Sequence, residues 1–325
     1  MFAFFQKRRP LTPQYRKKNY LILFTVFALL FSGCAMSPTS TKSAETRMIK
    51  LSDKRMHEVY ASLPEQSSPQ TVTIGNEFVM IDISNVALGY FAIRYLGDNP
   101  KVKLMLTGPD TVKYTYNITT ELVYLPVSGG NGTYSVKVYE NISGDDYASA
   151  YSGSFGVTLE NEFLPYLYSN LYVNYAKAPN TQNLAQELFR SCDSDLAYVS
   201  SVYHYLINNV TYDKEKAATV SYLYLPVLDD VLAHQTGICF DYASLMAGML
   251  RSCGIPTKLQ IGYAGTAYHA WISTYISDVG WIDGIIHFDG KNWSLLDPTF
   301  AAGSNDDAVK EFIGDGSNYN VLYSY

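Results

Sequence analysis

Only four cysteines occur in 325 residues, and no two of them have the C-x-x-C spacing. The five histidines show no H-x-x-x-H spacing either. A zinc site built from closely spaced ligands therefore has no support. Calcium-loop spacing of the EF-hand type is also missing, so no metal or other cofactor is expected. Charged residues are sparse at 17% and sum to a formal net charge of −6. A basic footprint is absent, which argues against a nucleic-acid partner. The acidity speaks to solubility rather than to substrate. Tryptophan is scarce, with 3 residues against 29 tyrosines. Tyrosine suits exposed β-sheet faces and polar binding surfaces, which leans toward an extracytoplasmic, β-rich region.

Long apolar runs are missing too. The longest candidate, "LILFTVFALLF" at 21–31, is eleven residues, apolar except for Thr25. As a helix it would reach roughly 16 Å at 1.5 Å per residue. A hydrocarbon core is about 30 Å thick, so the run fits a signal-peptide h-region better than a membrane span. Six basic residues and no acid precede it. "FSGCA" follows, and its Ser32 and Gly33 before Cys34 resemble the bacterial lipobox, with Phe31 where leucine is commonest. The expectation is a lipoprotein signal peptide at 1–33 and lipidation at Cys34. An uncleaved N-terminal anchor is the alternative. Both readings put the rest of the chain outside the cytoplasmic membrane, attached to it. Without 1–33, 18 basic residues face 30 acidic ones, a net of −12.

Residues 34–69 read as a polar tether with a short helix around 45–62. Residues 70–160 read as all-β. Runs at 77–83, 89–96, 101–108, 111–118, 121–127 and 133–140 are rich in β-branched and aromatic residues, with turn signals such as "GDNP", "GPD" and "GGNG" between them. Six to eight short strands at this spacing predict a sandwich. No titratable cluster occurs there, so the region reads as spacer, docking surface or plain structure. From 161 to 325 the pattern changes. "PYLYSNLYVNYAKAPN" reads as a connector, and 181–192 and 193–213 carry helical periodicity, with Asp193 or Ser194 as a cap for the second helix. Strand-like runs follow at 257–263, 268–276, 281–288 and 293–300, with "DGKN" as a hairpin turn. Helices followed by an antiparallel sheet make an α+β domain.

Two cysteines share one predicted helix in "HQTGICFDYASLMAGMLRSCGIP", 234–256. Ala243, Leu245, Met246, Met249 and Leu250 form its apolar stripe, and Gly237 allows a tight entry. Cys239 opens the helix, where unpaired N–H groups and the macrodipole favour an anion, and the thiolate is the nucleophilic form of cysteine. Cys253 lies fourteen residues on, roughly 21 Å along the axis. There the dipole disfavours a thiolate, and "SCGIP" is a stop signal. A cysteine nucleophile needs a base, and the base needs an orienting group. His269 in "YHAWISTYI" and Asp297 in "WSLLDPTF" lie on predicted strands that could hold an imidazole and a carboxylate side by side.

"GICFDYASLMAGMLRSCGIPTKLQIGY", "YHAWI" and "WSLLDPTF" together resemble the transglutaminase-like superfamily, over roughly 180–303. The resemblance implies a papain-like Cys–His–Asp domain, a helix packed on an antiparallel sheet, preceded by the all-β sandwich-like domain. It assigns Cys239 as nucleophile, His269 as acid and base, and Asp297 as orienter. Gln235, four residues before Cys239, is a candidate oxyanion donor. Asp241 and Tyr242 match the motif and read as architectural, since an acid in the first turn suits the dipole. Trp271 shares the strand face of His269. His234 and the His287–Asp289 pair are rival bases, His204 and His57 read as structural, and Cys192 with Cys253 could form a disulfide. The expected function is thiol acyl transfer on a protein or cell-wall peptide, hydrolysis rather than cross-linking. The alternative is an idle module of this superfamily used for protein interaction or envelope assembly.

Overall fold

The structure is a computed structural model that describes residues 63–277, 280–283, 285–288, 293–296 and 319–325. Cys34, His57, Asp289, Asp297 and the helix expected around 45–62 lie outside the described residues. No helix among the described residues is long and apolar enough to cross a membrane.

Two antiparallel sheets form the first part. One has the order β1 (Thr73–Gly75), β2 (Val79–Asp82), β3 (Tyr90–Tyr95) and β6 (Val123–Pro126). The other has the order β5 (Lys113–Ile118), β4 (Val102–Thr107), β7 (Gly132–Ser143) and β8 (Asp146–Val157). Period-two burial builds the space between them. Val102, Leu104 and Leu106 of β4 are buried, whereas Lys103, Met105 and Thr107 between them are only half-buried. Tyr114, Tyr116 and Ile118 of β5 repeat the pattern. Phe91 of β3 meets Phe155 of β8 across the gap, with ring centroids 5.5 Å apart. The six strand-like runs read from sequence thus correspond to β2 through β7.

The tyrosines correct an expectation. Of the twelve largest fully buried side chains, seven are tyrosines, so they fill the core rather than decorate exposed faces. Burial works because each ring is apolar and several of the hydroxyls find a backbone carbonyl. Tyr134 donates to Val127 O and Gly130 O at 2.9 Å each, and Tyr175 donates to Leu167 O at 2.7 Å.

Five helices and a second set of strands follow. They are α1 (Pro179–Arg190), α2 (Asp195–Asn209), α3 (Lys214–Thr219), α4 (Leu228–His234) and α5 (Cys239–Ser252). Ser194 is the cap of α2, its side chain accepting from Ala197 N at 3.2 Å. The second helix stops at Asn209 rather than 213. Short β9 (Thr211–Tyr212) pairs in parallel with β10 (Thr236–Gly237), and Asp213 caps α3 by accepting from Lys216 N at 2.8 Å. The remaining sheet has the order β13 (Gly280–Asp283), β12 (Ala267–Ile276), β11 (Thr257–Ala264) and β16 (Tyr319–Ser324). Strands β14 (Ile285–Phe288) and β15 (Trp293–Leu296) pair only with each other among the described residues. The single strand expected at 281–288 is therefore two strands in different sheets, and β15 is not a ladder neighbour of β12.

Helix α5 is the centre of this part. Every residue from Phe240 to Arg251 is buried, not only the predicted stripe. A helix covered all round belongs to a core. It packs on β11 and β12 on one side and on α1, α2 and α4 on others. Each large apolar side chain buried there contributes about 1.5–3 kcal/mol. One hydrophobic cluster runs from the sandwich residues through α5 to Tyr325, where Tyr114 and Tyr116 meet the Tyr325 ring at 5.4 and 5.9 Å.

Candidate active site

Cys239 is the first residue of α5, and its side chain is partly exposed. Ile238 before it is extended, with φ −98° and ψ 176°, which leaves the first backbone N–H groups of the helix without helical partners. Gly237 is needed for the approach. A Cβ there would lie 2.6 Å from the Asp241 Cβ.

Asp241 holds this entry in place. It is fully buried, and its Oδ2 accepts from Ile238 N and from Lys216 Nζ, each at 2.8 Å. The Tyr224 hydroxyl donates to its Oδ1. Burial, and next the Asp241 carboxylate, push the Tyr224 phenol above its ordinary value, so it stays the donor. Lys216 Nζ also donates to the Tyr224 hydroxyl at 2.7 Å. The carboxylate thus joins α3, the segment before α4 and the first turn of α5. Asp241 is architectural, as its place in the first turn implied. Lys216 and Tyr224 were not legible as its partners, since only the fold brings 216 and 224 to 241.

His269 is buried on β12, opposite Gly262 of β11. Its ring stacks on Trp271, 6.1 Å between centroids at 18°, and Tyr319 of β16 lies 6.4 Å away. Trp271 and Tyr319 contact each other at 5.0 Å. Trp271 therefore shares the histidine's face as its spacing predicted, and Tyr319 is an added neighbour that no motif marks. Tyr268, one residue before His269, has its phenol pushed up by burial first, with Tyr323, Tyr172, Tyr263 and Cys239 adding to the shift. Consecutive strand residues point to opposite faces, so Tyr268 and His269 project to opposite sides of β12, the strand that carries the histidine. Helix α5 packs directly on that strand.

The remaining candidates separate by position. Gln235 is exposed at the C-cap of α4 in the left-handed region, with φ 53°, and its backbone O accepts from Thr211 N at 2.9 Å. His234 is exposed, and its Nδ1 lies 2.8 Å from Asp230 O of its own helix. The described cysteines are all free, so the bridge considered for Cys192 and Cys253 is not formed. Cys192 Sγ donates to Leu188 O at 3.2 Å. Burial pushes the Cys253 thiol up, which keeps it protonated and unreactive. Among the described residues no group of three or more His, Cys, Asp or Glu side chains is placed to hold a metal ion.

A family model described as the transglutaminase-like superfamily matches residues 182–284. A search of curated proteins finds no match. Solved structures similar to this chain include a candidate cysteine protease from Cytophaga hutchinsonii, 14% identical, covering 71% of this chain and 69% of that one, with a TM-score of 0.35. The periplasmic domain of TgpA from Pseudomonas aeruginosa is 15% identical, with 78% and 80% covered and a TM-score of 0.33. Residues 182–284, which carry Cys239, His269 and the buried helix between them, are a transglutaminase-like superfamily domain.

Proposed function

We propose that the chain is a cell-surface thiol acyl-transfer enzyme acting on proteins or cell-wall peptides, held to the membrane through lipidated Cys34. One observation carries the chemistry. The only partly exposed cysteine among the described residues opens a buried helix, and that helix packs on the strand bearing a buried histidine. In the first half-reaction the Cys239 thiolate attacks an amide carbonyl. The tetrahedral oxyanion is received by the Cys239 backbone N–H and, in this reading, by the Gln235 side chain. The C–N bond breaks, and the His269 imidazolium gives its proton to the departing amine. In the second, His269 takes a proton from water, the hydroxide attacks the thioester, and the thiol is restored. Asp297 would orient His269 throughout. Water is abundant, and nothing among the described residues marks a pocket for an amine acceptor, so hydrolysis is favoured over cross-linking.

The test is product analysis. Casein and cell-wall peptides are incubated with the protein, with and without an added primary amine, and products are read by mass spectrometry. The expected products are free carboxylic acids, lost in Cys239→Ala and reduced at least 100-fold in His269→Ala. Amine adducts in place of acids would reassign the second half-reaction. Turnover unchanged in Cys239→Ala would refute the reading.

A further inference from the structure

Ten large apolar side chains are exposed among the described residues, and four of them, Tyr222, Leu223, Leu225 and Val227, fall within six positions. From 223 to 228 exposure alternates strictly: Leu223, Leu225 and Val227 face out, whereas Tyr224 is half-buried and Pro226 and Leu228 are buried. Period-two burial is the signature of an extended chain, and Val227 is extended, with φ −108° and ψ 105°. Residues 222 and 223 form a turn, and the extended residues 224–227 after it belong to no sheet among the described residues.

The backbone of the segment is open along one edge. In an extended chain the N–H and C=O groups of alternate residues point the same way. The edge shared by 225 and 227 begins after the turn in which Ser221 Oγ takes Leu223 N and Ser221 O takes Tyr224 N, and the first turn of α4 takes Val227 O. Leu225 N–H, Leu225 C=O and Val227 N–H make no hydrogen bond among the described residues. Pro226, which has no N–H to offer, belongs to the opposite edge. An apolar stripe beside free donors and an acceptor at strand spacing suits an added strand. A lipid or small apolar ligand would leave those backbone groups without partners.

The segment also connects to the nucleophile. Tyr224, its inward residue, donates to Asp241, two residues beyond Cys239 in the first turn of α5. We propose that Leu225–Val227 is a docking edge for an extended polypeptide with apolar side chains at alternate positions, and that this polypeptide is the acyl donor of Cys239. The second half of that statement rests on the acyl-transfer reading. The first half stands without it.

Binding to the full-length Cys239→Ala protein tests docking without turnover. The probe is a fluorescein-labelled nonapeptide of alternating valine and serine, read by anisotropy. Two N-methylated versions block the two alternate sets of its amides. One set faces the edge and the other does not, so only one version is expected to lose binding, by at least tenfold. Leu225→Asp and Val227→Asp are each expected to weaken the unmodified peptide by at least tenfold. Equal binding of both methylated peptides, no binding of the parent, or indifference to both substitutions would overturn the proposal. So would capture of the segment by phosphatidylglycerol vesicles, or a concentration-dependent dimer lost in Leu225→Asp, in place of peptide binding. The methylated peptides leave the protein unaltered, so a variant that fails to fold does not blunt the test. If the parent peptide binds at this edge but wild type releases no product from casein or cell-wall peptides, the acyl-transfer reading falls and docking stands. If wild type turns over both methylated isomers equally, docking falls and the activity stands.

Discussion

At the scale of single residues, two thiols on one helix have different fates because they occupy opposite ends. Cys239 is partly exposed at the end where the dipole favours an anion, and Cys253 is buried at the other. This was legible, because a glycine before one cysteine and "GIP" after the other mark the two ends. The support under Cys239 was not. Asp241 is in the motif, but its cation comes from 216 and its phenol from 224, which no local pattern joins to it. A carboxylate with no exposure needs those partners. Lys216→Met is therefore expected to cost about 2–3 kcal/mol in urea unfolding, because it leaves the Asp241 charge buried without its ammonium partner. Adding Asp241→Asn to that variant should cost less than the two single losses combined, since the residues act as a unit.

At the scale of elements, the helix and the histidine strand were readable from period alone, and the sheet around them was not. The run 281–288 looks like one strand because its composition is continuous, yet its halves join different partners. β16 pairs with β11 although some fifty residues separate them in the chain, a pairing that only tertiary structure fixes. Gly262 makes that pairing possible. A Cβ there would fall 2.0 Å from Asn320 O, and Gly262 faces His269 across the ladder. The backbone oxygen cannot swing away as a side chain could. Gly262→Ala is expected to destabilise by about 2 kcal/mol, the cost of overpacking a filled interior. It should also lower turnover by displacing His269, and the two effects are separable by assaying well below the unfolding transition.

At the scale of the whole molecule, the tyrosine content was visible and its meaning was misread. A phenol can serve a surface or a core, and the choice depends on what surrounds its ring and hydroxyl, which composition does not reveal. The consequence is a pH dependence. Burial pushes Tyr166 and Tyr175 up to about 12, and many other core tyrosines are also raised. The unfolded chain releases phenolic protons near pH 10, while the folded chain still holds them. Above that pH the folded state binds more protons, so stability falls as pH rises. Stability should be insensitive to tyrosine below about pH 10 and decline between about 10 and 12. Tyrosinate absorbance should rise together with loss of the near-ultraviolet circular dichroism signal. A gradual rise with the fold intact would mean that the phenols are accessible.

Site-resolved labelling tests the central claim most directly. The protein is treated near neutral pH with a thiol-directed acyl electrophile, and adducts on Cys192, Cys239 and Cys253 are quantified by mass spectrometry over time. The expected result is rapid modification confined to Cys239, strongly slowed in His269→Ala while the fold is retained. Equal, slow modification of all three thiols, or a Cys239 rate indifferent to His269, would contradict the account.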